Sequence, residues 1–202
     1  MAADHDTDER LLDQLRRGDE QAFAILVHRY RESMLRIAVG YVPGRAVAEE
    51  VVQDTWLAVL RGMSMFEGRS SVRTWVFRIL VNRARSAGMR ERRAVPLGED
   101  LQPTVDQSRF DASGAWIAPP EQWVDQVEDR LVAEKMANRI RTAIMELPAR
   151  QREVVTLRDI EGLASVEVCS VLEITEANQR VLLHRGRSRL RQVLEAEFGR
   201  VR

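Results

Sequence analysis

Apolar residues recur at three- and four-residue steps along most of this chain, and that rhythm breaks down between residues 94 and 128. Phe23, Leu26, Val27, Tyr30, Met34, Ile37, Ala38 and Tyr41 form one such stripe. A period near 3.6 suits a helix with one buried face and does not suit a strand, whose faces alternate every second residue. The interruption, AVPLGEDLQPTVDQSRFDASGAWIAPPEQWVDQVE, holds four prolines and two glycines. Proline removes a backbone donor and clashes with the preceding helical turn, so no regular element can run through it. The expected architecture is therefore all-α: two small helical bundles, over 8–93 and 129–198, joined by an extended linker over 94–128. Phe110, Trp116, Ile117 and Trp123 make that linker too apolar for an inert spacer, and parts of it are expected to dock on a surface.

Charge sharpens this division. The 202 residues carry 31 basic and 31 acidic side chains, so the formal net charge is zero. By segment, basic against acidic, the counts are 7 and 11 over 1–60, 9 and 2 over 61–93, 1 and 8 over 94–129, 7 and 7 over 130–175, and 7 and 3 over 176–202. Two basic islands thus flank an acidic middle. Lys135 is the one lysine, and guanidinium forks suit phosphates and guanine edges. Codon bias accounts for most of the arginine-to-lysine ratio, so it is the clustering of the arginines that points to nucleic acid. A lone cysteine, Cys169, excludes an internal disulfide framework and is expected to be a small core residue. No run approaches the roughly 18 apolar residues of a membrane span. The acidic start MAADHDTDER lacks the charged and apolar regions of a signal peptide, so a cytoplasmic location without membrane insertion is expected.

Breakers and caps set the helices. Gly18 can end a first helix built on Leu11, Leu12 and Leu15, and Asp19 can cap the next. Pro43-Gly44 stops the second, a third spans about 46–61, and a loop then leads into a fourth. After the linker, periodicity resumes near Leu131 and breaks at Leu147-Pro148. Helices over 149–160 and 164–172, the turn Glu173-Ile174-Thr175 and a long helix from Glu176 follow. The last two helices make a helix-turn-helix.

Residues 66–93 set eight arginines and two glutamates around an apolar helical stripe. Opened nucleic acid needs cations for its phosphates, and pockets, amides or hydroxyls for its unstacked bases. Phe66, Arg69, Ser70 and Ser71 in the loop are candidates for base contact. On the helix, Val72, Trp75, Val76 and Ile79 form the expected buried face, with Trp75 packing in preference to stacking on a base. Arg78, Asn82 and Arg85 share a second face that can meet DNA. In the last helix, Asn178, Arg180, Val181, His184 and Arg185 lie on an outward arc, while Leu183, Gly186, Leu190 and Val193 face inward. That division suits a recognition helix entering a major groove.

Catalysis finds little support. The histidines are His5, His28 and His184, and no cysteine pair, phosphate-binding glycine loop or metal-binding pattern is present. No catalytic residue, cofactor or metal is expected. A helix-turn-helix regulator acting without polymerase is the competing reading, but it leaves the segment 66–93 without a purpose.

In order, these motifs closely resemble the extracytoplasmic-function sigma factors of the bacterial sigma-seventy family. RRGDEQAFAILVHRY is similar to the family's first helix pair, AEEVVQDTWLAVL to its polymerase-binding helix, and FEGRSSVRTWVFRILVNRAR to its promoter-melting and minus-ten segment. LPARQREVVTLRDIEGLA with the helix-turn-helix is similar to sigma domain 4. The resemblance implies a subunit that joins bacterial core RNA polymerase and directs promoter-specific initiation, with an anti-sigma protein as a further partner. It implies that Glu50, Gln53, Asp54 and Trp56 meet the polymerase. It implies that Phe66 to Val72 and Asn82 capture a flipped base of the minus-ten strand. Arg158, Asn178, Arg180, Val181, His184 and Arg185 match positions facing the minus-thirty-five duplex. The chain departs from the pattern at Glu173, where the turn commonly carries glycine, and at Ala177-Asn178-Gln179, which replaces Gly-Thr-Val.

Overall fold

The computed structural model describes residues 2–93 and 128–198, and every regular element in them is helical. The expected linker, apart from Glu128, lies outside the described residues, as do Phe110, Trp116, Ile117 and Trp123.

Helix α1 (Ala2–Arg16) starts earlier than its leucines suggest and ends before Gly18, whose φ of 88° is left-handed. The Asp19 carboxylate then accepts from the Gln21 and Ala22 N–H groups at 2.9 and 3.3 Å, capping α2 (Glu20–Val39). Leu26, Tyr30, Met34, Ile37 and Ala38 of the expected stripe are buried, and Phe23 and Val27 lie at its partly buried edge. Asp8 ties α1 to α2 by accepting from Tyr30 and Arg29. Helix α3 (Arg45–Gly62) follows Pro43-Gly44, and α4 (Val72–Arg93) follows the loop. Ser71 Oγ caps α4 by accepting from the Thr74 N–H at 3.1 Å.

The buried face of α4 is wider than its stripe. Val72 and Val76 are in the core as expected, but so are Phe77, Leu80, Val81, Ala84 and Ala87, while Trp75 and Ile79 are only partly covered. The reason is tertiary: α4 packs against α1, α2 and α3 on one side and against the C-terminal bundle on another.

In that bundle, α5 (Glu128–Met145) leads to α6 (Ala149–Val155), which Pro148 precedes as N-cap. The single helix expected to residue 160 changes at Thr156–Ile160 into a π-helical turn, before Gly162 at φ 68°. Helices α7 (Ser165–Leu172) and α8 (Glu176–Phe198) complete the helix-turn-helix. Gly186 lets α8 approach α6 closely, since a Cβ there would lie 2.6 Å from Val155 Cγ2. Buried side chains of both bundles belong to one continuous apolar cluster.

Candidate nucleic-acid interface

The loop before α4 is held from several sides. Phe66 lies 4.7 Å, centroid to centroid, from the Trp75 ring. Its backbone carbonyl accepts from Arg16, so α1 also fixes the loop. Arg69 projects into solvent and pairs with Glu67. Ser70 is half-buried. Val72 is 1% exposed, so its side chain supports the loop from beneath and is not presented to a ligand.

On α4 the three residues of the expected second face have different surroundings. Asn82 is exposed and lines a groove of about 580 Å³ between α3 and α4, together with Val51, Asp54, Ile79, Arg83 and Ser86. Asp54 faces Arg83 across it at 3.8 Å. One groove therefore brings together Asp54 from the expected polymerase-binding set and Asn82 from the expected minus-ten set. Arg78 and Arg85 instead meet the C-terminal bundle. Arg78 Nη2 donates to Glu173 Oε1 at 2.6 Å, and Arg85 Nη2 donates to Glu153 Oε2 at 2.8 Å. Burial works against the Arg85 charge, but the bond to Glu153 and the negative charge of that carboxylate together outweigh it and raise the guanidinium pKa.

Two further arginines, which sequence reasoning did not single out, join this seam. Arg36 of α2 donates to both Glu161 carboxylate oxygens, at 2.9 and 3.3 Å, which raises its pKa. Arg73 of α4 donates to the Glu161 backbone carbonyl and lies over the Phe77 ring at 5.3 Å. Thr74 Oγ1 donates to Glu167 Oε1 at 2.9 Å, with Ser71 Oγ 3.2 Å from the same oxygen. Burial opposes the Glu167 charge, yet the Ala164 N–H and these hydroxyls hold its pKa below the usual range. No local pattern marks these pairs, because their partners lie 68 to 125 residues apart in sequence.

Of the expected polymerase-binding residues, Glu50, Gln53 and Asp54 are exposed on α3. Trp56 is 7% exposed and edge-on to Phe23 at 5.6 Å, so its side chain works as core. In α8, Asn178, Arg180, Val181 and Arg185 are exposed and His184 is half-buried. Thr175 Oγ1 accepts from the Asn178 N–H at 3.3 Å, capping the helix. Gln179 is 3% exposed and takes the Ser165 hydroxyl at 3.0 Å, which places an amide at a core position. Arg158 points inward and donates to the Leu163 carbonyl, tying the loop to the π-helical turn. Cys169 is half-buried, and burial raises its thiol pKa.

Among the described residues no group of three or more His, Cys, Asp or Glu side chains could hold a metal. No described helix is long and apolar enough to cross a membrane.

Comparison with known proteins matches both bundles. A sigma-70 region 2 family model covers residues 26–94 and a sigma-70 region 4 model covers 137–190. The ECF RNA polymerase sigma-E factor of Escherichia coli K12 is 28% identical over 181 residues, covering 90% of this chain and 91% of the relative. The RNA polymerase sigma-H factor of Pseudomonas aeruginosa is 25% identical over 188 residues, covering 93% and 94%. Two solved structures share the fold. CnrH, in complex with the cytosolic domain of CnrY, has a TM-score of 0.62 at 22% identity, covering 94% of this chain and 98% of that one. RpoE from Bartonella quintana, in complex with the anti-sigma factor NepR, has a TM-score of 0.60 at 21% identity, covering 87% and 98%.

Proposed function

The chain belongs to the extracytoplasmic-function group of the sigma-70 family and is an RNA polymerase sigma factor that directs transcription initiation; from that premise we propose how its residues divide the work. The carrying observation is that sigma regions 2 and 4 occupy two helical bundles, each with its own exposed polar helix face. It supports a division into 8–93, 94–128 and 129–198.

The C-terminal bundle lays the start of α8 into the major groove of the minus-thirty-five duplex. Exposed Asn178, Arg180, Val181 and Arg185 meet base edges and backbone there, with His184 beside them. The N-terminal bundle takes the melted minus-ten strand. Phe66, Arg69, Ser70 and Ser71 cradle an extruded base, Asn82 supplies an amide, and Arg78 and Arg85 take phosphates. Glu50, Gln53 and Asp54 on α3 meet core polymerase. Val72, Trp56 and Arg158 act by holding these surfaces in shape, since each points into the protein.

Binding energy therefore does the work: the duplex is anchored at one end and unstacked bases are trapped at the other. The protein performs no covalent chemistry and works in the cytoplasm, where core polymerase and promoter DNA meet. The neighbours CnrH and RpoE are bound to CnrY and to an anti-sigma factor respectively, which supports an anti-sigma partner here. The decisive experiment is run-off transcription with purified core polymerase on fragments of the chain's own genome. Specific transcripts are expected, and their absence from every fragment would sink the role.

A further inference from the structure

We infer that Arg16, at the end of α1, is a positioning residue for strand opening: its guanidinium clamps the turn after α3 and so sets the pose in which the loop before α4 receives an unstacked base. The inference rests on the reading that this loop takes a minus-ten base.

All three guanidinium nitrogens of Arg16 are committed. Nε donates to the Met63 carbonyl at 3.1 Å, Nη2 to the Phe66 carbonyl, and Nη1 to the Asp13 carboxylate at 3.0 Å. The two carbonyls stand at the two ends of the 3-10 turn Met63–Met65, whose C-cap is Phe66. One planar fork thus spans the turn, which the single nitrogen of a lysine does not match. A phosphate contact is the other use of such an arginine, but here the nitrogens are already taken. The bonds to the turn reach 47 and 50 residues along the chain, so no local pattern marks Arg16.

The turn has little else to hold it. None of its residues is buried, and Met65 is 83% exposed. Its closing bond, from the Phe66 N–H to the Met63 carbonyl, is 3.3 Å long, and no side chain caps its start. The Phe66 ring rests on Trp75, which places the side chain and leaves the direction of the carbonyl to Arg16. A carbonyl lies in one plane with the next N–H, so gripping it sets the direction in which Glu67 leaves. From there the chain runs through Gly68, left-handed at φ 72°, to Ser71, whose hydroxyl caps α4. Arg16 in front and Ser71 behind therefore anchor the segment that carries Arg69 and Ser70. The exposed Glu67–Arg69 pair between them adds little. A loop free to adapt accepts any base, whereas one held in a single pose favours the base that matches it and needs no ordering on binding.

Run-off transcription first supplies a promoter. Holoenzyme built from core polymerase and the full chain is then titrated with fluorescein-labelled single strands spanning the minus-ten element, each base varied in turn. The readout is the ratio of affinities between the best and the worst base at each position. Arg16→Ala should cut this ratio at the captured base about fivefold, the weight of one net hydrogen bond, and should lower permanganate reactivity on the duplex promoter. Arg17→Ala, which removes the same charge from an exposed neighbour, should leave both as in the parent. A cooperative thermal melt checks each fold. Should Arg16→Ala fail it, Arg16→Lys, which keeps the charge and loses the fork, takes its place.

An unchanged ratio in Arg16→Ala would overturn the inference. Equal falls in affinity for all four bases would do so too, since a lost phosphate contact or general loosening acts on every base alike. An equal effect of Arg17→Ala has the same consequence. The functional reading is judged on the parent: transcripts and base discrimination by the parent uphold it whatever Arg16 does. No transcript, or a parent blind to base, removes base capture and the role of Arg16 with it.

Discussion

Glu173 sets the terms at the scale of single residues. Its left-handed backbone costs about 1 kcal/mol relative to glycine, and its ion pair with the half-exposed Arg78 returns at most about that much. Glu173→Gly should therefore leave the fold as stable or raise its melting temperature, read by a thermal scan. Gly88 should behave oppositely. A Cβ there would lie 2.3 Å from the Tyr41 carbonyl oxygen. Gly88→Ala should cost about 1–3 kcal/mol from that clash, more than the roughly 1 kcal/mol that alanine gains in a helix, as measured by urea unfolding. Glu167 supplies a pH dependence. Its folded pKa is depressed, so its contribution is complete above the ordinary glutamate value and is lost as pH falls through the lower folded value. Glu167→Gln should flatten that acid limb in stability measured against pH.

At the scale of elements, α8 and α4 carry separable tasks. Arg180→Ala should weaken recognition of particular upstream base pairs by about 1–3 kcal/mol if the contact is to bases, and all sequences alike if it is to phosphate. Competition binding of the polymerase holoenzyme on a panel of upstream variants tells these apart. Asn82→Ala should leave duplex anchoring intact and impair strand opening, seen as lost permanganate reactivity around the start site. Most of the elements themselves were legible in the sequence. Gly18, Asp19, Pro43-Gly44, Leu147-Pro148 and Gly162 act through local backbone chemistry, so the boundaries they mark needed no tertiary information. The start of α1 and the π-helical turn at Thr156–Ile160 were not legible, because neither has a breaker or cap that a local reading could find.

At the scale of the whole molecule, the structure places four carboxylates of one bundle on the cationic, hydroxyl-bearing edge of the other. Such a seam is sensitive to ionic strength where it meets solvent, and less so where Glu161 and Glu153 are buried. The candidate surfaces are only partly those the resemblance implied. Asn82, Arg180 and Arg185 are exposed, whereas Val72 and Trp56 are in the core. Helical spacing places a residue on an arc, but the neighbouring elements decide whether that arc faces water. For α4 they cover more than one side.

By itself the sequence determined the helical class, the division into two bundles and the order of motifs that places the chain in its family. All three depend on periods, breakers and short motifs that act over a few residues. What only the tertiary structure decided is which of the arginines face solvent and which face glutamates. The free energy of an ion pair depends on distance and solvent exposure, and the partners of Arg36, Arg78 and Arg85 lie 125, 95 and 68 residues away along the chain.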